Sequence, residues 1–526
     1  MTLRRRQFLR QASALSLGLP AAGLLAASVS ADERRKAAAF DPVERSIADL
    51  QGAMTRGELS AAALVAAYID RIARFDHAGP EYRSVLAINP AALDAARTLD
   101  QERKAGKLRG PLHGVPLLIK DNIETLDPLP TTAGSLALAR SLSTVDAPLV
   151  ARLRAAGAIV LGKTNLSEWA NFRGNRSSSG WSAVGGQTRN AYDRLRNPSG
   201  SSAGSGVAAA ASFCAAAIGT ETDGSILSPS SVNGLVGLKP TVGAVSGKGI
   251  VPITPRQDTA GPMARSVADA ALLFATMREP GRAAAPDLAQ LDATRLRGLR
   301  IGVLAPAASS HTGAAAVHAE VLAALTHEGA VVVEGEAPPG FEAFGDPEYE
   351  AMLFEFKHAL EAYLAGLDPV RVPTRTLASL IDFNRAHAEQ ELGLFGQELF
   401  EMAARKGSLA DPAYRKALEE IRRGAETEGL SLLFGKTGAS LLLALSNGPA
   451  DLIDRVWGDR PDGGWPTVAS AAATAGYPSI TVPAGTIHGL PVGVTLVGPR
   501  NAEATLLKAA FAIERVLGAR KAPRIG

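Results

Sequence analysis

One cysteine, Cys214, stands in 526 residues, so no disulfide can close within the chain. It falls in an Ala-rich apolar stretch and reads as a packing residue rather than a nucleophile. Aromatic residues are scarce at 5% and the formal net charge is only +3. No basic cluster alternates with aromatic rings, so nucleic-acid binding has no support. The eight histidines, His77, His113, His311, His318, His327, His358, His387 and His488, are scattered. No His-Glu-x-x-His pair marks a metallohydrolase, and no histidine has a companion motif for a Ser-His-Asp set. His387, in a helical stretch, reads as a packing or surface residue. Beyond the first 31 residues no apolar run is long enough to cross a bilayer.

What the chain has in quantity is apolar residues, 46% of the total, ample for a large core. Length alone suggests three domains, but α/β enzymes often exceed that prior as one unit. Residues 1–31 read as an export signal. Arg4-Arg5-Arg6-Gln7-Phe8-Leu9-Arg10 follows the twin-arginine pattern, Ala12–Ala27 is weakly apolar, and Val29-Ser30-Ala31 offers a small-residue cleavage site before Asp32. The alternative is a short membrane anchor, but Gly18, Pro20 and Gly23 interrupt the run. An exported, periplasmic or secreted protein is therefore expected, spanning 32–526 after processing.

Periodicity predicts two helices within Asp41–Asp76, the second capped by Ser60, a third over Ala91–Ala105, and others over Val145–Ala156 and His318–His327. Ala158–Lys163 reads as a buried strand, and Arg300–Leu304, Ala330–Val333, Gly476–Pro483 and Leu490–Gly498 as further strands. This alternation argues for an α/β layer architecture. Residues 341–433 differ: they are helical and charged, and the acidic helices around Glu401–Glu428 read as solvated faces. Phe354, Phe356, Phe383, Phe395 and Phe400 are expected to pack in a core, with lining of a substrate groove as the alternative.

The chain is organised around Asn197–Pro240. Pro198-Ser199-Gly200-Ser201-Ser202-Ala203-Gly204-Ser205-Gly206 is a loop of glycines and hydroxyl residues running into Val207–Ala217, which reads as a buried helix. Gly219-Thr220-Glu221-Thr222-Asp223-Gly224-Ser225-Ile226 is a polar turn with an exposed serine, whose gathered N–H groups can hold an oxyanion. Alone, the first half is most simply a flexible connection; no lysine follows its glycines as a phosphate loop requires. Upstream, Gly114-Val115-Pro116-Leu117-Leu118-Ile119-Lys120-Asp121-Asn122 ends an apolar run on a lysine.

On these three segments the sequence resembles the amidase signature family of amide hydrolases, and within it the bacterial peptide amidases, from about Ile47 to the C-terminus. The resemblance implies an α/β/α sandwich with a mixed central sheet covered by helices. It also implies a Ser-Ser-Lys triad in which Ser225 is the nucleophile, Ser201, after a cis peptide, relays the proton, and Lys120 is the base. The backbone N–H groups of Thr222, Asp223, Gly224 and Ser225 would form the oxyanion hole. The commoner family pattern has aspartate at position 221, glycine at 223 and arginine at 227, where this chain has Glu221, Asp223 and Leu227. Backbone donors survive such changes, and Leu227 removes a cation near the nucleophile.

For this chemistry Lys120 must be neutral near pH 7, and burial on a strand achieves that; Asp121 then faces away from it. Trp169 and Trp181, flanking the loop before the serines, are expected to stack on substrate. The implied substrate is a small or short-peptide amide, most closely a C-terminal peptide amide. Broad aryl or fatty amide hydrolysis is the alternative, and the glutaminase component of an amidotransferase is less favoured. No cofactor, metal, nucleic-acid partner or stable membrane insertion is expected, and the chain is monomeric or a homodimer.

Overall fold

The computed structural model describes residues 29–306, 310–460 and 464–525. The twin-arginine run and the weakly apolar Ala12–Ala27 lie outside them. The expected cleavage point before Asp32 falls in the first turn of a helix, Ala31–Ala39, where Ser30 and Glu33 form a reciprocal capping box.

Thirteen strands follow in chain order: β1 Val85–Ile88, β2 Pro116–Lys120, β3 Ile159–Thr164, β4 Trp181–Ser182, β5 Gly186–Gln187, β6 Ala216–Glu221, β7 Val236–Lys239, β8 Thr259–Ala264, β9 Arg300–Leu304, β10 Val331–Gly335, β11 Leu441–Leu445, β12 Ser479–Ile487 and β13 Leu490–Val497. Eleven of them join one sheet in the order β1-β3-β2-β6-β8-β7-β12-β13-β11-β9-β10, and β4 with β5 makes a separate small hairpin. The sheet is mixed. β3, β2 and β6 run parallel, as do β11, β9 and β10, while β12 and β13, both expected as strands, pair antiparallel. β2, β3 and β6 are buried at every position, because both faces of a central sheet are covered by helices.

The helices begin where their capping residues stand. Ser46 and Ser60 accept backbone N–H groups at the starts of Ile47–Thr55 and Ala61–Arg71. The helix expected from Val145 starts at Pro148, whose ring suits a first-turn position, and the helix expected from His318 extends back to Thr312.

One expectation fails. Val207–Ala217 is not a single helix: Ala203–Ala210 is helical, Ser212 turns the chain with φ of 54°, and Ala216 opens β6. An all-apolar run carries no period, so buried helix and two-sided buried strand look alike in it. Cys214 lies in the turn between them, fully buried, and burial pushes its thiol up to about 12.

Residues 341–433 form a helical layer whose longest member is Gly345–Gly366. Phe356 and Phe400 pack there, with ring centroids 5.4 Å apart. The layer is fastened to the sheet domain by buried charge. Arg173 Nη1 lies 2.6 Å from Glu168 Oε1 and 3.4 Å from Glu391 Oε2, all three side chains being fully buried. Glu391 also accepts hydrogen bonds from Ser135 Oγ at 3.0 Å and the Leu136 N–H at 2.8 Å. With two carboxyls and one guanidinium out of water, burial and the Glu391 charge push Glu168 well above the usual carboxylate range.

Candidate active site

Lys120 ends β2 and Thr220 lies near the end of β6. The two strands are parallel neighbours, so both side chains reach the same carboxyl edge of the sheet. In open α/β sheets this edge is where ligands bind. The Gly/Ser loop crosses that edge before entering Ala203–Ala210. It approaches closely: a methyl group on Gly204 would meet Ser84 O at 2.3 Å and Asn165 O at 2.5 Å, and one on Gly219 would meet Ser202 Oγ at 2.8 Å. Glycine is required at both places.

This packing surrounds the Lys120 amine with hydroxyls. Nζ lies 2.8 Å from Ser201 Oγ, 2.9 Å from Ser202 Oγ and 2.8 Å from Thr220 Oγ1. Ser202 Oγ donates to Thr220 O at 3.0 Å, so its proton is committed. Thr220 Oγ1 also accepts from Asn122 Nδ2 at 3.0 Å. Ser201 Oγ has no other partner among the described residues, which leaves its proton available to a neutral Nζ. Lys120 is fully buried, and burial lowers its pKa to about 7 against the opposing charges of Asp258 and Glu221. Asp121 faces elsewhere: Thr132 Oγ1 donates to it, and Lys163 lies 3.6 Å away.

The peptide bond before Ser201 is cis. Ser167 N–H donates to Ser201 O at 3.0 Å, and Ser202 N–H donates to Ser225 O at 3.2 Å, which ties the two serine segments together. Lys120 and Ser201 are fully buried, whereas Ser225 keeps 9% of its surface exposed, so Ser225 is the member of the set that a ligand can reach. Before it the chain turns through Gly224 with φ of 77°. Among the described residues, the N–H groups of Thr222, Asp223, Gly224 and Ser225 have no acceptor. Four free donors in one tight turn are what a developing oxyanion needs.

The side chains of this turn are held from outside. Thr222 Oγ1 donates to Asp258 at 2.6 Å, and burial pushes Asp258 up to about 6. Asp223 accepts from Trp465 Nε1 at 2.9 Å and Ser470 Oγ at 2.6 Å. Glu221 Oε2 accepts the N–H groups of Ile226 at 2.7 Å and Leu227 at 3.0 Å. Lys239 of β7 is fully buried and donates to Pro240 O at 3.2 Å; burial lowers it to about 8 against the opposing charges of Glu221, Glu503 and Asp223. A cavity of about 210 Å³ opens beside the turn, lined among others by Ser199, Gly200, Asp223, Gly224, Asn447 and Trp465.

Two expected substrate contacts are placed elsewhere. Trp169 is 2% exposed and meets Phe400 edge-on at 5.6 Å. Trp181 meets Phe395 at 5.3 Å beneath the Arg173 guanidinium. Both rings pack the loop against the helical layer, Trp169 buried and Trp181 still partly exposed. None of the five phenylalanines lines the cavity. The aromatic wall is Trp465, which no motif marked; its partner Asp223 lies far away in sequence. Ser202 and Thr220 were also missed as residues around the amine, although both stand within the quoted segments.

The chain matches the amidase family over residues 63–507. Among solved structures, native peptide amidase from Stenotrophomonas maltophilia superposes with a TM-score of 0.87 at 50% identity, covering 92% of this chain and 99% of that one. The Arabidopsis thaliana protein named "Probable amidase" is 37% identical over 94% of both chains. A component of the glutamyl-tRNA(Gln) amidotransferase of Salinispora arenicola is 35% identical over 91% of this chain and 98% of its own length.

Proposed function

This chain belongs to the amidase family and is an amide hydrolase, and we propose that it converts C-terminal peptide amides to the free acid and ammonia through Lys120, Ser201 and Ser225. The observation that carries the assignment is the Lys120 amine, fully buried among hydroxyls and poised to be neutral near pH 7. An amide needs an activated nucleophile, an oxyanion hole and an acid for the amine. In the proposed cycle Ser225 Oγ attacks the carbonyl carbon while its proton passes to Ser201 Oγ, whose own proton passes to Lys120 Nζ. The carbonyl oxygen, now anionic, is met by the N–H groups of residues 222–225. The protons return by the same path to the leaving nitrogen, ammonia departs, and water repeats the sequence on the Ser225 acyl ester.

The likeness to a peptide amidase supports the peptide-amide substrate, as does the absence of a cation at Leu227 to hold a free amino-acid carboxylate. For residues 1–31 we propose an export signal, on the twin-arginine pattern alone.

Incubating the enzyme with an amidated dipeptide is expected to release ammonia and raise the peptide mass by about one unit, the mark of acyl transfer to water. Ser225→Ala is expected to abolish turnover, and Ser201→Ala to reduce it severely. Scission of internal peptide bonds, or full activity in Ser225→Ala, would overturn the proposal.

A further inference from the structure

The cavity beside Ser225 is rich in acceptors and poor in cations. Asp223, Asp451 and Asp459 all line it, and among the described residues no lysine, arginine or histidine does. Asp451 experiences Asp459 as a like charge, and burial pushes all three carboxyls upward. The cations that act on them stand behind the lining and are already engaged. Arg196, which acts on Asp451, donates to Ala450 O at 3.0 Å and sits 3.8 Å from Asp193. Lys239, which acts on Asp223, is fully buried on β7.

Asn447 supplies a separate observation. It lines the same cavity and is only 7% exposed. Its Nδ2 donates to Ser228 Oγ at 3.0 Å, which leaves Oδ1 without a donor among the described residues. A buried acceptor on a cavity wall is completed by a ligand that brings N–H groups. That ligand is not a bare metal ion, because no three His, Cys, Asp or Glu side chains among the described residues are grouped to hold one. An organic cation meets both conditions: it carries the charge that the aspartates lack and the N–H donors that Asn447 lacks.

Resting on the amide-hydrolase reading above, we propose that this cavity seats a positively charged group of the acyl residue, an ammonium or guanidinium, and turns carboxylates away. Lysine- or arginine-type amides are then preferred substrates, and glutamate-type amides poor ones. The same field acts on the product. Hydrolysis turns a neutral amide into a carboxylate beside Asp223, so the acid is pushed out as it forms.

The test uses three N-acetylated dipeptide amides that differ only in the last residue: lysine, norleucine or glutamate. The expected ranking in kcat/KM is lysine about tenfold above norleucine and glutamate about tenfold below it, with both gaps narrowing in about 0.5 M salt. Asp451→Asn, which keeps the shape and removes a charge, is expected to shrink the lysine-to-glutamate ratio by about threefold or more. The wild-type ranking and its salt dependence carry the test if that variant does not fold. Equal kcat/KM for the three peptides, or a preference for glutamate, overturns the inference while leaving the amide-hydrolase reading intact. Ammonia from none of them overturns both.

Discussion

Replacing Lys120 with methionine, similar in length and uncharged, separates the two things the buried amine does. In the native chain Lys120 loses its proton near pH 7. In the unfolded chain it keeps that proton to about pH 10.4. Between those values the unfolded state binds one more proton, so stability rises with pH by about 1.36 kcal/mol per unit. Across the whole window Lys120 accounts for about 5 kcal/mol, and its contribution is least favourable at the acid end. Lys163 and Lys239 are also lowered by burial, but they are common to both proteins and cancel in the difference. Asp258 titrates near 6, below the window.

The assay is urea unfolding of wild type and Lys120→Met at half-unit steps from about pH 7 to about pH 10, the span of the window. The wild-type curve is expected to climb relative to the variant at nearly the full slope. In parallel, wild-type kcat/KM should fall about tenfold per unit below pH 7 and level off above it, while Lys120→Met is inactive throughout. Equal stability slopes in the two proteins, or an activity midpoint near about pH 10, would refute a lysine held neutral by burial.

Arg173→Met leaves Glu168 and Glu391 facing each other in the core. It should cost about 3–5 kcal/mol at neutral pH, with the loss shrinking towards acid pH as Glu168, already pushed upward by burial, takes up a proton; paired urea titrations at about pH 7 and about pH 4 decide this. Gly204→Ala drives a methyl group into Ser84 O and Asn165 O, and should lower stability by about 3 kcal/mol with a reduced melting temperature. On the export proposal, Arg5→Lys with Arg6→Lys should hold the enzyme in the cytoplasm; undiminished periplasmic activity in that double variant refutes it.

The parts of this molecule that were legible in sequence are those whose causes are local. Ser46 and Ser60 mark helix starts because a hydroxyl caps the next turn wherever it stands. The apolar run ending at Lys120 marks a strand because its residues bury on both faces. The glycines of the serine loop announce a close approach without naming the neighbour. What was illegible depends on residues far apart. Whether an alanine-rich run coils or extends is decided by β2 and β8 on either side of β6, not by the run itself. Trp169 looks like a substrate platform until the helical layer covers it. Trp465 reveals its place only through Asp223.

The buried contact among Glu168, Arg173 and Glu391 also bears on how relatives of this chain can be recombined. A chimera that exchanges residues 341–433 as a block moves Glu391 and leaves Glu168, Arg173 and Ser135 behind. Unless the incoming block carries a carboxylate at the same point, Arg173 loses one of its two buried carboxylate partners, and Ser135 loses its acceptor. Crossovers that inherit all four residues from one parent avoid that defect. The boundary of the exchangeable unit is therefore drawn by a salt bridge between residues 218 positions apart, not by the ends of the helices.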